Sequence, residues 1–477
     1  MPIQFIDNTS IDKKTRTLIR SHVAKGKNLG RTIHRPSRHP RRRRVAAAVI
    51  PPAEPPPDQQ AESRESDYLE LSLPIQRQLQ GELSTTFPFD VSWACRGLFY
   101  RFVNFVDFKP YPPELRETII NVNGPRLFLG YSLVDEAFFH CVVALSVAVS
   151  VSRPVTRQER TEAFRHLSRS LRLVNERLVD DGGMALSDAT VAVVVAMTQY
   201  ERFLGCHGHA LVHFEGLQRI VALRGGIAAL FADCPRVAQK ALRADLDFAI
   251  QLGSPTRFGA ECVPGESTLT WLGAEYRRAR GTSPDTPAFL SSADSDLQRA
   301  FEDISTLSWF INDNAAHGLK LDDYDFHNIL LSVGYHLLEV RPLSAPIRNT
   351  SQPAVLLHLG LTALMTMFFF NLGVKPLDVL FLARRIASSA LERRHDDREE
   401  QELLLWLLFT ARVTVFRDGG EDAWLTPTVA QLAVQLGLLT WDHVSQILTK
   451  FPWVGIFSND TAQTLWNQVG SISCPLL

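Results

Sequence analysis

At 477 residues, 45% of them hydrophobic and 21% charged, the chain has the composition of a globular protein with a sizeable core. A net charge of −1 conceals a division, because 13 lysines and arginines against Asp7 and Asp12 put +11 on residues 1–44 and leave −12 on the rest. Cys95, Cys141, Cys206, Cys234, Cys262 and Cys474 are scattered with no Cys-x-x-Cys pair, which argues against a zinc module or a secreted disulfide framework.

The chain opens on "MPIQFIDNTSIDKKTRTLIR", which lacks a hydrophobic signal segment, so reduced thiols in the cytosol or nucleus are expected. Ser10 in "SIDKKTRTLIRSHVAK" can cap a short basic helix, which Gly26 and Gly30 break. Pro36 and Pro40 then deny regular structure to "RTIHRPSRHPRRRR". Lys25, Lys27, Arg35, Arg38, Arg41, Arg42, Arg43 and Arg44 form a dense basic arm over residues 1–44, suited to nuclear import or to phosphate contact. Phe5 is its one aromatic residue, which weakens any base-stacking role. Residues 45–87 are Pro-rich and polar and read as a disordered linker, with the folded body expected over 88–477.

From residue 88 the periodicity is helical, and the fold class expected is all-α. "PPELRETIINV" (112–122), "SLVDEAFFHCVVALSVAVS" and "RQERTEAFRHLSRSLRLVNERLV" read as helices, the last ending at "DDGG". "LSDATVAVVVAMTQYERFLG" starts on a Ser187 cap with Asp188 at the positive end of the helix. Further helices are expected over 297–312, 325–339, 354–371, 376–393, 400–415, 427–436 and 441–450, with loops at 280–296 and 341–353. "AVLLHLGLTALMTMFFFNLGV" (354–374) approaches the ~20 apolar residues of a membrane span. It holds His358, Asn371 and two threonines without flanking positive charge, so a buried core helix is expected instead, as for "EAFFHCVVALSVAVSVS".

"VHFEGLQRIVALRGGIAAL" (212–230) poses the question of a helix that ends in Gly-Gly and restarts at once. A helix over 208–224 would carry Leu211, Phe214, Leu217, Ile220 and Val221 as its apolar stripe, with Arg224 against the negative end of the dipole. Gly225 suits the left-handed position after a helix end, where Gly225→Val should cost more than about 1 kcal/mol, and Gly226 permits a sharp turn. A phosphate loop would place its glycines before a helix N-terminus, where N–H groups point at the anion. Here they follow a C-terminus, so the pair is a helix corner.

Three segments together, "LSDATVAVVVAMTQYERFLG", "HFEGLQRIVALRGGI" and "VAQKALRADLDFAIQLGSPTRF", resemble the regulatory domain of fungal-specific transcription factors in order and spacing. "LLWLLFTARVTVF" and "ILTKFPW…LWNQV" resemble C-terminal helices of the same family, and "FIDNTSIDKKTRTLIRSHVAKGKN" an N-terminal arm of some members. The resemblance implies a helical regulatory domain and nuclear residence. Full members carry a zinc binuclear cluster of six closely spaced cysteines as their DNA reader, a pattern this sequence lacks.

"CHGHALVH" (206–213) is the best metal candidate, since His209 and His213 stand i and i+4 with Cys206 and His207 adjacent. Ala210 stands where a metalloprotease helix needs its glutamate, and His and Cys at a helix start are ordinary capping and packing residues. "LDDYD" (321–325) is expected to cap a helix rather than hold a cation, and "GGEDAWL" and "RRHDDREEQE" to be solvated charge runs. With no nucleophile elbow, phosphate loop or dinucleotide fingerprint, no catalytic, cofactor or metal residue is assigned and no cofactor is expected. The partners expected are other transcription regulators or a second copy, an unidentified small effector, and weak nonspecific DNA contact through the arm, with no membrane. A cytosolic helical scaffold or ligand-binding module is the alternative.

Overall fold

Long apolar stretches at helical spacing cannot be satisfied singly, and in the computed structural model they are packed against one another. The structure describes residues 95–96, 98–99, 115, 118–120, 130–148, 156–179, 183–259, 263–280, 287–292, 294–346, 351–370, 379–391, 397–416 and 419–473. Fifteen long helices among them set the architecture. They are α1 (Glu136–Ala148), α2 (Arg157–Val179), α3 (Asp188–Phe203), α4 (His207–Leu223) and α5 (Ile227–Asp233). Next come α6 (Pro235–Leu252), α7 (Glu266–Arg280), α8 (Ser295–His317), α9 (Asp323–Val340) and α10 (Gln352–Phe370). The last five are α11 (Leu380–Leu391), α12 (Arg398–Thr414), α13 (Asp422–Leu436), α14 (Trp441–Leu448) and α15 (Gly455–Ser473). The fold is all-α.

Contacts run along the chain from one group of helices to the next. α1 packs on α2 and α3, α3 on α4 and α6, and α6 on α9 and α11. α9 also meets α8 and α10, α10 packs on α12, and α12 meets α13, α14 and α15. One expected helix is contradicted at its described residues. Within "PPELRETIINV", Ile119–Ile120 is a strand, β1, paired in parallel with β2, Leu321–Asp322, through Ile119↔Leu321 and Ile120↔Asp322. The Leu321 N–H donates to the Thr118 carbonyl at 3.0 Å. Two consecutive β-branched isoleucines favour the extended form once a partner strand is available.

Other boundaries move for local reasons. α13 begins at Asp422 rather than 427, with Pro427 inside it, because Trp424 packs edge-on against Phe416 (5.5 Å between centroids) and anchors an additional first turn. "GGEDAWL" is therefore a helix start, in which Asp422 pairs with Arg412 at 3.3 Å, and not a solvated run. In "RRHDDREEQE", Asp397 caps α12 by accepting from the Glu399 and Glu400 N–H groups, while Glu402 is buried and held by Lys450 at 2.6 Å. The loop expected over 280–296 contains a 3₁₀ turn at Ala288–Ser292, and α8 already begins at Ser295.

α10 is buried on every side along residues 355–367, as a central core helix requires. No helix among the described residues is long and apolar enough to cross a membrane. Its His358 Nε2–H donates to the Leu337 carbonyl at 2.9 Å, and burial pushes the imidazole down to about 4. An unfolded histidine takes up a proton near pH 6.5, so between that pH and about 4 the unfolded chain binds more protons and stability falls as pH falls. The limiting slope is about 1.4 kcal/mol per pH unit for each such histidine. Urea midpoints are expected to drop between pH 7 and pH 5, and to drop less in His358→Gln; an equal drop in the two proteins would refute the assignment.

Candidate functional site

The helix corner at Gly225–Gly226 has a cleft beside it. Ser187 caps α3 by accepting from the Thr190 N–H at 3.3 Å. α4 then runs antiparallel fashion back through Gly205, whose φ of +76° makes the turn between the two helices. α4 buries Phe214, Leu217, Ile220 and Val221, together with Ala210 and His213, whereas Leu211 is only half-buried. The apolar stripe is thus the expected one from Phe214 onward, with Ala210 and His213 buried in the first turns where Leu211 was expected.

At the end of α4 the Gly225 N–H bonds the Ala222 carbonyl (3.2 Å) and the Gly226 N–H bonds the Val221 carbonyl (2.9 Å). That pair of bonds is a Schellman closure, which needs a left-handed residue after the cap. Gly225 has φ +100°, and Gly226 follows at φ +96°, ψ 179°, a region open to glycine alone. Arg224 does more than face a helix dipole. Its guanidinium bridges Asp188 at the start of α3 (2.5 Å) and Asp233 at the end of α5 (3.0 Å), tying three helices at one point.

The cleft, of about 410 Å³, is lined by Glu215, Gln218, Arg219 and Val221 on α4, by Gly226 and Ile227 at the corner, and by Arg257 and Phe258 from the segment after α6. That volume lies within the usual range for small-molecule sites. One buried carboxylate holds the segment that brings Arg257 and Phe258 to the cleft. Asp245, 1% exposed, accepts from the backbone N–H groups of Arg257 (2.8 Å) and Phe258 (2.9 Å) and from the Tyr335 hydroxyl (2.8 Å). Burial pushes its carboxyl above the usual range, and the three donors pull against that. Arg257 in turn donates to Gln218 (2.8 Å) and lies over the Phe214 ring at 5.5 Å. Phe214 also meets Phe248 (5.0 Å) and Phe258 (6.1 Å), so the lining ring of Phe258 is backed by an aromatic cluster in the core.

Of the sequence-derived metal candidates, Cys206 and His209 lie together with Glu201, which the sequence did not single out, their ligand atoms within 4.8 Å of one another. Glu201 is five residues from Cys206 in sequence and comes back to it only through the Gly205 turn. His213 faces the core instead, and burial pushes it down to about 4. His207 belongs to neither of the ligand groups found among the described residues. In "LDDYD", Asp322 caps α9 by accepting from the Tyr324 N–H (2.8 Å), and buried Asp323 pairs with Arg236 (2.6 Å). The basic-arm residues Lys25, Lys27, Arg35, Arg38 and Arg41–Arg44 lie outside the described residues.

The cleft's Arg257 and Phe258 and its supporting Asp245 and Tyr335 were missed because they are joined only in three dimensions. No curated protein and no solved structure matches the chain. One family model does, over the segment that holds α1 to α6 and the glycine corner; the α12–α15 motifs and the N-terminal arm lie outside that match. Residues 123–254 match the family model of the fungal specific transcription factor domain, and that segment is similar to this family.

Proposed function

We propose that the chain is a nuclear transcription regulator that acts by binding other regulators, or a small effector, through its helical domain, without a zinc-cluster DNA reader of its own. The domain organisation proposed is a basic arm over 1–44, a Pro-rich linker over 45–87 and a helical regulatory body over 88–477. The observation that supports this best is the family match over residues 123–254, which gives a transcription-regulator type of role. The cleft at the glycine corner supplies a place for an effector or a partner segment, with Arg219, Arg257 and the Phe258 ring among its lining. The arm would supply import and weak attraction to DNA. Contact with about five phosphates would give a log–log salt slope of roughly −4.5 with little sequence preference.

The test is genome-wide chromatin occupancy of the tagged full-length protein beside a copy with Arg41–Arg44 replaced by Ala. Discrete promoter peaks for the wild type, weakened in the arm variant, are the expected result. Uniform background in both samples would overturn the reading in favour of a helical scaffold outside the nucleus.

A further inference from the structure

A second cluster, away from the cleft, joins residues from three parts of the chain. Cys95 Sγ lies 3.0 Å from His166 Nε2, and both side chains are buried. Glu162 stands one turn before His166 on α2, and the Cys95, Glu162 and His166 ligand atoms all lie within 4.8 Å of one another. Behind His166, its Nδ1 meets Nδ1 of His140 on α1 at 2.7 Å. His140 Nε2 faces Glu136 at 3.5 Å, and Arg169 fixes that carboxylate at 2.8 Å.

We propose that Cys95, His166 and Glu162 form a site for a divalent zinc-type cation, with His140 as the positioning residue behind it. A thiolate, an imidazole and a carboxylate are the donor types zinc takes in three-ligand sites, where water completes the fourth position. Bond lengths of about 2.3 Å to sulfur and about 2.0–2.1 Å to nitrogen at a tetrahedral angle set those two atoms about 3.5 Å apart. The pair at 3.0 Å therefore needs to open by only about half an ångström. With His140 Nε2–H turned to Glu136, its Nδ1 accepts from His166 Nδ1–H, which leaves the His166 Nε2 lone pair toward Cys95, the outer-shell arrangement of metal-bound histidines. Arg165 shares Glu162 at 2.7 Å, but that pair is at the surface and is readily exchanged.

The rival group of Glu201, Cys206 and His209 is less suited, because the His209 side chain is 56% exposed and open to water. Ligation at the first group would clip the segment at 95–99, whose Phe99 packs on Phe139, to the α1–α2 hairpin across 71 residues of chain.

The experiment strips purified full-length protein with chelator and titrates it with Co²⁺, followed by displacement with Zn²⁺. The expected result is one equivalent of metal with a thiolate-to-cobalt charge-transfer band and a Zn²⁺-dependent rise in Tm. Cys95→Ser removes the band, and Glu162→Gln weakens binding by more than the roughly 10–100-fold that loss of an outer-shell partner costs. Cys206→Ser leaves both readouts unchanged. No charge-transfer band in the wild type, or a band that survives Cys95→Ser and disappears in Cys206→Ser, overturns the proposal. Should Cys95→Ser fail to fold, the Glu162→Gln and Cys206→Ser pair still decides, since unaltered binding in the former is equally fatal.

Discussion

Asp247→Ala is expected to destabilise the protein by roughly 3–5 kcal/mol, the usual cost of stranding a buried charge by removing its partner. Asp247 is 3% exposed and is held by two cations, Arg202 from α3 through Oδ2 and Arg243 from α6 through Oδ1 at 2.9 Å. The Arg202 side chain is itself 9% exposed and stacks over Phe248 at 5.6 Å, so it has no route to bulk water once the carboxylate is gone. The consequence reaches the candidate cleft, because Phe248 supports Phe214 and Phe214 supports Arg257. Asp188→Ala is the internal control. Asp188 is 35% exposed and shares Arg224 with Asp233, so its loss belongs in the range of about 0–1 kcal/mol typical of exposed pairs. Urea unfolding of both variants measures the difference. A loss below about 1 kcal/mol for Asp247→Ala would mean that water reaches the Arg202 guanidinium after all.

Asp247 also marks where the sequence stops being informative. In "RADLDFAI" two aspartates alternate with apolar residues, and nothing local tells that both are buried. Arg243 is a local partner of Asp247, but Arg202 for the same carboxylate and Tyr335 for Asp245 are 45 and 90 residues distant. The glycine corner was readable because its causes are local: a 3.6-residue period up to Val221, followed by the residue type a left-handed cap needs. The all-α class was readable for the same reason, repeated helix after helix. The β1–β2 pairing was not, since Ile119 and Leu321 each have ordinary helical surroundings in sequence and become strand only through each other. The same limit applies to the site. Cys206 and His209 could be picked out as neighbours, whereas Glu201 joins them around a turn, and Cys95 meets His166 only after the hairpin is built.

Gly360→Ala in α10 is expected to cost about 1–3 kcal/mol although it adds a single methyl group and replaces a poor helix former with the best one. A Cβ at this position would stand 2.2 Å from Cζ3 of Trp406 on α12, closer than any van der Waals contact allows. One partner has to move. The indole cannot do so cheaply, because it is fully buried, stacked on Phe451 at 5.2 Å, and anchored by Nε1–H donating to the Pro452 carbonyl at 2.9 Å. The glycine therefore sets how closely α10 and α12 approach, and the two helices must separate or the ring must abandon its hydrogen bond. Trp406→Ala has the opposite defect. It empties a large buried volume and strands the Pro452 carbonyl, for an expected loss of about 3–5 kcal/mol. The two substitutions should not add. With the ring absent the new methyl group no longer clashes and fills a little of the cavity, so the double variant should be no less stable than Trp406→Ala alone, a coupling of about 1–3 kcal/mol. Chemical unfolding of the four proteins in this cycle measures that coupling. Simple additivity would show that the strain at Gly360 is relieved by backbone movement in α10 instead of being held against the Trp406 ring.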